Sequence, residues 1–550
     1  LFNEDRHNCD KLFGRADMEV NAVNSTNNAD LNSAARTVYG CISDTAKRLP
    51  ARPAVIELDK DGRESRVDFA GLCRLTDSMA AYLSGLGIAQ GSRVVVALPN
   101  GIASVVSTLG VWRLGACAFM LSSQLVPEER QRLLDQVRPQ LVISAWGDAG
   151  YPALKLTDDM VFSLPPCGME LPDRISAPGR ATATGGSTGM PKIIIEEAPL
   201  VYGGEDFKRW SHITGQKGGQ VQLVCGSLHH SLFNNSFYLA LAMGSTNVLM
   251  RKFDEKLALR AIEKYRVNNL VLVPTMMSRI IRCPDFAAAD LSSVLSVHHA
   301  GAACPAWLKQ EWIDAFGAEK IHEFYSMSEK VGMTYIRGDE WLLHQGSVGR
   351  PVGAGITILD DEGRPVPAGT VGNVYFTNPD TGTTHYLMAE QSLVHSRGGA
   401  VSVGDLGYLD GDGYLFLVDR RSDMIISGGK NIYSAEVENV LREYKDVRDI
   451  VVIGLTDPVW GRRVHAVVEP SCPAEEFDVY AFADFAFRRM SSYKIPKTME
   501  LVASLPRDES GKLRRGAMAE EREKGGFKYT AVPNGHQILA WRDKRAKRIK

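Results

Sequence analysis

The sequence predicts an α/β protein. A large N-terminal unit of doubly wound α/β layers carries a small β subdomain, and a smaller α+β unit follows at the C-terminal end. Three observations predict it. Apolar strand-like runs alternate with helical runs across residues 92–273. After Gly346 the texture changes to short strands split by turn residues. Beyond Asp419 a second α/β pattern begins. The chain has 550 residues, enough for three to four folding units at roughly 150 residues each, with a core that needs no disulfide or metal staple.

In chain order, residues 1–35 are rich in Asn and Asp, lack periodicity, and are expected to form a disordered leader. Residues 92–98 predict a buried strand, Ile102–Arg113 a helix, 116–121 a strand and Pro127–Val137 a helix. The alternation recurs at 221–224, 240–250, 257–265 and 269–273. The stretch 218–250 is uncharged apart from its histidines but holds many amide and hydroxyl side chains. It is too polar for a membrane helix, which needs about 20 mostly apolar residues. It predicts a buried strand and helix whose polar groups suit a cavity wall.

Residues 356–359 and 372–376 predict short strands. Asp410-Gly411-Asp412-Gly413 is a hairpin turn leading into a strand at 414–418. Next come a helix at 435–444, strands at 449–453 and 463–469, and a helix at 479–490. The boundary is placed at 419–423, dividing an N-terminal domain, 36–419, from a C-terminal one, 420–524. Residues 525–550 form a basic tail. Its last ten residues hold six basic side chains against Asp543, and predict a solvated end.

Composition narrows the function classes. Lys and Arg total 63 and Asp and Glu total 65, a net charge of −2. That balance argues against a general nucleic-acid surface, which needs a basic face. Nine scattered cysteines form no C-x-x-C, against zinc-ribbon and thioredoxin-like readings and in favour of reduced thiols in the cytoplasm. Charges stand near the first residues, where a signal peptide would be apolar.

The sharpest local motif is Thr184-Gly185-Gly186-Ser187-Thr188-Gly189-Met190-Pro191-Lys192. Glycines let backbone N–H groups approach an anion, the hydroxyls add donors, and Lys192 adds a cation. This suits a nucleoside triphosphate, although the spacing is not that of a P-loop. Further on stand Phe324-Tyr325-Ser326-Met327-Ser328-Glu329, Gly404-Asp405-Leu406-Gly407-Tyr408 and Asp419-Arg420-Arg421-Ser422-Asp423. Ser427-Gly428-Gly429-Lys430-Asn431-Ile432-Tyr433-Ser434-Ala435-Glu436 follows, and Arg507-Asp508-Glu509-Ser510-Gly511-Lys512 closes the series.

In this order the set resembles the adenylate-forming superfamily, over roughly residues 40–520. The resemblance implies a large N-terminal domain with a barrel-like β subdomain, and a small mobile C-terminal lid. It also implies a two-step reaction with ATP, Mg²⁺ and coenzyme A. A carboxylate attacks the α-phosphate of ATP to give an acyl-adenylate and pyrophosphate, and a thiol then displaces AMP. Phosphoryl chemistry of this kind asks mainly for positioning and charge neutralisation.

Roles follow from the resemblance. Thr184, Gly185, Gly186, Ser187, Thr188 and Gly189, with Lys192, would cradle the β- and γ-phosphates. Glu329 would hold Mg²⁺. Tyr325 would stack on adenine, with Ala300, Gly301 and Ala302 along its other face and Ser328 donating a hydroxyl. Asp405 would accept both ribose hydroxyls, and Arg420 would bind the ribose or phosphate side. Lys512 would reach the α-phosphate and the substrate carboxylate. Gly428, Gly429 and Lys430 would swing in to shape a pantetheine tunnel, with Ser422 as hinge. The chain departs from the family pattern at Gly185, Ile193, Ser326 and Ser422.

The acyl pocket is expected from His229, His230, Phe233, Asn234 and Asn235, with Thr275, Met276 and Met277 opposite. His230 stands where the family places a gating aromatic or histidine; a hydrogen-bonded core histidine is the other reading. Residues 273–280 and 304–309 resemble bile-acid or steroid-acid CoA ligases, which implies a bulky hydrophobic acid. The wording of 428–438 resembles acyl-CoA synthetases, and no carrier-domain pattern follows residue 525, so free CoA is the expected acceptor. The resemblance admits a homodimer. Three alternatives stay open: loading of a carrier protein, thioesterification of a preformed adenylate, and a non-catalytic acyl or nucleotide sensor.

Overall fold

The structure is a computed structural model. It describes residues 36–146, 150–168, 170–184, 192–203, 205–378, 384–387, 393–396, 399–507 and 513–549.

Two large mixed sheets build the N-terminal part. The nine-stranded sheet runs, in spatial order, through Arg350–Pro351, Met333–Arg337, Ile321–Ser326, Ser296–His299, Asn269–Leu272, Val221–Val224, Thr246–Met250, Pro53–Leu58 and Glu64–Asp68. Its six central strands are parallel. Crossover helices cover such strands on both faces, so the polar side chains among them are buried and pair with one another, as Gln222 does with Asn247. The seven-stranded sheet runs through Thr384–Tyr386, Lys192–Glu196, Arg180–Thr184, Cys117–Met120, Arg93–Ala97, Leu141–Ser144 and Ala153–Lys155. Its first two strands are antiparallel additions to a parallel set.

The helix Ile102–Arg113 is buried along its whole length. Its sequence explains this: Arg113 is its single charge, and small or apolar side chains occupy every face. Glu57 accepts a hydrogen bond from the Ile102 N–H at the helix start. At the other end Arg113 is held by Asp77 and the Leu171 carbonyl.

A six-stranded antiparallel sheet follows, with Gly372–Thr377 and Asp405–Leu409 inside it and Leu415–Arg420 at one end. The hairpin expected at 410–413 joins the last two of these. The C-terminal part has a four-stranded sheet of Val447–Asp457, Gly461–Pro470, Thr498–Leu501 and Thr530–Ala531. Among the described residues, the apolar cores of the C-terminal part draw only on residues from Ile425 onward. Those of the N-terminal part draw on residues up to Leu417.

Two sequence expectations change. The run 240–250 is not one element: the helix Ser231–Ala242 ends, a turn at Gly244 intervenes, and the strand Thr246–Met250 begins. The basic tail is only partly a solvated end: Asp543, Lys544 and Arg545 are exposed, but residues before them are packed. Thr530–Ala531 adds a strand to the C-terminal sheet, and the helix Gly535–Ile549 packs back on the helix Val479–Arg489. Ile538 is buried, Trp541 stacks on Tyr480, and Arg542 pairs with Asp484. Net charge hides these anchors, which lie one helical turn apart on a single face.

Candidate active site

Four parallel strands of the nine-stranded sheet, Val221–Val224, Asn269–Leu272, Ser296–His299 and Ile321–Ser326, end along one edge. Ligands bind beyond the carboxyl ends of such strands. That edge carries His229 and His230, Thr275, Ala300 to Ala302, and Tyr325 to Glu329. Ala300 is buried, while Gly301 and Ala302 are open to solvent, and Gly301 takes a positive φ of 86°. Ser231 Oγ lies 3.4 Å from Ser328 Oγ, joining the start of the helix Ser231–Ala242 to the Glu329 turn.

Asp405 gathers two other expected nucleotide residues. It faces Arg420 across an antiparallel pair. Arg420 Nε donates to Asp405 Oδ1 at 3.0 Å, and the Tyr325 hydroxyl donates to Oδ2. Burial pushes the Tyr325 phenol well above its ordinary range, and the Asp405 charge adds to the effect. Partial desolvation lowers the Arg420 pKa, but Asp405 and Glu329 beside it outweigh this and raise it overall.

Glu329 is half-buried. Its Oε1 accepts from the Tyr386 hydroxyl at 2.8 Å, and among the described residues no donor reaches Oε2. The Lys192 ammonium sits 4.9 Å from the centre of the Tyr386 ring. Next to Glu329, Lys330 has a positive φ of 52° and donates to Glu196 Oε2 at 2.6 Å. Glu196 also accepts from Arg180 Nη2 at 2.9 Å. Burial would raise the Glu196 carboxyl, but the two cations hold it below its ordinary value. Sequence reasoning missed Tyr386, Glu196, Lys330 and Arg180. A partial signal existed, because Glu196 ends the apolar run Ile193-Ile194-Ile195.

The expected acyl residues divide. His229 and His230 are half-buried at the strand ends, their ring centres 4.0 Å apart, and Ser227 Oγ is 2.6 Å from His229 Nδ1. Thr275 is half-buried at the start of the helix Pro274–Ile281. The others have different work. The Phe233 ring packs on Gly226 so closely that any Cβ there would overlap it. Asn234 Nδ2 donates to the Leu228 carbonyl at 2.9 Å, and both Asn234 and Asn235 accept from Arg180. Met276 and Met277 belong to the main core, where the Met277 carbonyl accepts from Trp312 Nε1. Polar amides in an uncharged stretch suggested a cavity wall; a buried guanidinium claims them instead.

In the C-terminal part, Gly428 and Gly429 form the two-residue turn of a hairpin between Ile425–Ser427 and Lys430–Ile432. Their φ values, 55° and 75°, are those such a turn demands. Gly428 N–H donates to the Trp460 carbonyl, and the Lys430 ammonium lies 4.4 Å from the Tyr493 ring centre. Ser422 is exposed between two tethers. Arg421 is held by Asp361 and Asn373 on one side, and Asp423 by Arg515 on the other. Gly185, Gly186, Ser187, Thr188, Gly189 and Lys512 lie outside the described residues, as does the side chain of Thr184.

The chain matches the family model described as AMP-binding enzyme over residues 42–166 and 182–387. It matches the AMP-binding enzyme C-terminal domain over residues 436–512. It is 31% identical over 471 residues to a feruloyl-CoA synthase of an Amycolatopsis species, covering 82% of this chain and 92% of that protein. An indoleacetate–CoA ligase of Aromatoleum aromaticum is 29% identical over 477 residues, with the same coverage of each chain. Among solved structures, the o-succinylbenzoate CoA synthetase of Bacillus subtilis with its acyl-adenylate superposes with a TM-score of 0.75. Its identity is 24%, covering 90% of this chain and all of that one, and it shares the fold.

Proposed function

This chain belongs to the AMP-binding enzyme family and is an AMP-forming acyl-CoA synthetase, and we propose that it activates a bulky, largely hydrophobic carboxylic acid. The observation that carries the site reading is Asp405, whose two oxygens meet Arg420 and Tyr325 at the edge where Glu329 also stands. A carboxylate oxygen has two lone pairs, so each can still accept a ribose hydroxyl.

In this reading Tyr325 and the open backbone at Gly301–Ala302 enclose the adenine. Lys192 and the 184–189 loop bind the β- and γ-phosphates. The residues fit Mg²⁺, a hard cation: Glu329 offers an oxygen with no donor among the described residues. Bound there, the ion would neutralise phosphate charge. Lys512 binds the α-phosphate and substrate carboxylate during adenylation. The tethers on either side of Ser422 support a pivot there, between a domain of 36–419 and a lid of 420–524. The hairpin turn at 428–429, with Lys430, belongs to the thiol-transfer arrangement of that lid. Residues 525–549 pack on the lid as its last layer.

The acid is approached by His229, His230 and Thr275. The relatives support an aromatic or alicyclic acid, since their names include indoleacetate, ferulate and 2-succinylbenzoate. Reduced thiols support a cytoplasmic setting, and no helix among the described residues is long and apolar enough to cross a membrane. The test is a panel of aryl, alicyclic and fatty acids with ATP, Mg²⁺ and CoA, reading AMP and thioester together. Equal release of both with a bulky hydrophobic acid is expected. Preference for small polar acids would overturn the substrate class.

A further inference from the structure

Glu329 leaves the nine-stranded sheet on a turn, but the groups that hold it come from the seven-stranded sheet. Glu196 lies opposite Thr384 there, and Ile194 lies opposite Tyr386. Glu196 and Tyr386 therefore stand on one face, as diagonal neighbours across the pair. They present opposite chemistry, a carboxylate acceptor and a phenol donor. The turn presents the complement in consecutive residues: Glu329 accepts from Tyr386 at 2.8 Å, and Lys330 donates to Glu196 at 2.6 Å.

Lys330 holds a left-handed backbone, φ 52°, which lysine rarely adopts. Such a conformation persists only where its surroundings over-determine it. Glu196 is itself fixed from behind by Arg180, whose guanidinium is oriented by Asn234 and Asn235. The ammonium bound to Glu196 is also withdrawn from the neighbouring carboxylate. Glu329 keeps one oxygen oriented by a neutral phenol and the other without a donor among the described residues.

We infer that Tyr386, Lys330 and Glu196 are positioning residues: they clamp the Glu329 turn so that its second oxygen is presented to the Mg²⁺ of bound ATP. The clamp rests on the reading of Glu329 as the Mg²⁺ ligand. Groups of this kind, which orient a metal ligand, typically change metal affinity by about 10- to 100-fold when removed.

The test is calorimetric titration of ATP into the full chain, once with Mg²⁺ and once with EDTA. The variants are Glu329→Gln, Tyr386→Phe, Lys330→Asn and Lys330→Arg. Asparagine tolerates the left-handed backbone without the ammonium, and phenylalanine keeps the ring of Tyr386. Glu329→Gln should abolish the gain in ATP affinity that Mg²⁺ confers. Tyr386→Phe and Lys330→Asn should each reduce that gain on the order of tenfold, leaving the EDTA affinity within about twofold. Lys330→Arg should retain most of the gain.

If Glu329→Gln removes the gain while Tyr386→Phe and Lys330→Asn both keep it, the clamp is wrong and the Glu329 reading stands. If Glu329→Gln keeps the gain, the metal reading itself fails. Equal losses with Mg²⁺ and with EDTA would assign the two residues to the fold or to the nucleotide, and would overturn the clamp.

Discussion

Arg420 and Asp405 face each other across adjacent antiparallel strands, and Arg420 Nε donates to Asp405 Oδ1 at 3.0 Å. Asp405 is buried while the Arg420 side chain is half exposed. The pair therefore spans the step from the interior of the six-stranded sheet to solvent. It also lies beside the 419–423 segment, so the proposed ribose site and the proposed pivot share one strand end.

Asp405→Ala should weaken ATP binding about 10- to 100-fold, the loss expected for hydrogen bonds to a charged group. The KM for the acid should change much less. The same variant strands the Tyr325 hydroxyl and Arg420, so its melting temperature should fall. Calorimetry and thermal melts check both. Unchanged ATP affinity would remove Asp405 from the nucleotide site.

Lys512→Ala should separate the half-reactions. A fixed cation at the α-phosphate stabilises the transition state of adenylation more than its ground state. Its loss should slow acid-dependent ATP–pyrophosphate exchange by about 10² to 10³. Transfer to CoA from a supplied acyl-adenylate should be largely spared, because the proposed lid rotation would carry Lys512 away. Equal losses in both steps would deny the lid its rotation.

His230→Ala should alter acid preference or acid KM more than ATP affinity, since His230 stands at the strand edge beside His229 rather than with Asp405. An acid panel on the variant is the measurement. An unchanged profile would make His230 a structural residue only.

Stability should fall as the solution is acidified below about pH 6.5, the ordinary histidine value. Burial lowers His298 to about 4 and His322 to about 3, and their rings lie 5.3 Å apart. Between those values and 6.5 the unfolded chain binds more protons than the native one, so the native state is progressively disfavoured. Below about pH 3 the contribution is lost. His298→Gln should flatten the dependence of melting temperature on pH between 6.5 and 4. An equal slope in the variant would assign the loss to other groups.

Much of the fold was legible because its signals are local. The strand expected at 92–98 is Arg93–Ala97, and the helices Ile102–Arg113 and Pro127–Val137 fall where their patterns put them. The hairpin at 410–413 followed from two Asp-Gly pairs. Tyr325, Asp405 and Arg420 were nameable as a set from their motifs, and the structure joins them by hydrogen bonds. The pairing of the amides at 234 and 235 with Arg180 was not legible, for a physical reason. A polar side chain in an apolar stretch tells of a buried partner but not which one.

By itself the sequence determined the alternation of strands and helices, the order of the motifs and hence the reaction class. All depend on residue types close together in the chain. Only the tertiary structure decided which polar groups meet. Lys330 and Glu196 are separated by 134 residues, and Arg180 and Asn234 by 54. A buried charge is tolerated only with a partner, and here the partners lie on a turn that leaves the other large sheet or on a crossover helix. The same holds for the tail, whose composition reads as solvated but whose Arg542 finds Asp484 on another helix. Packing of one element on another places such pairs, and no local pattern encodes it.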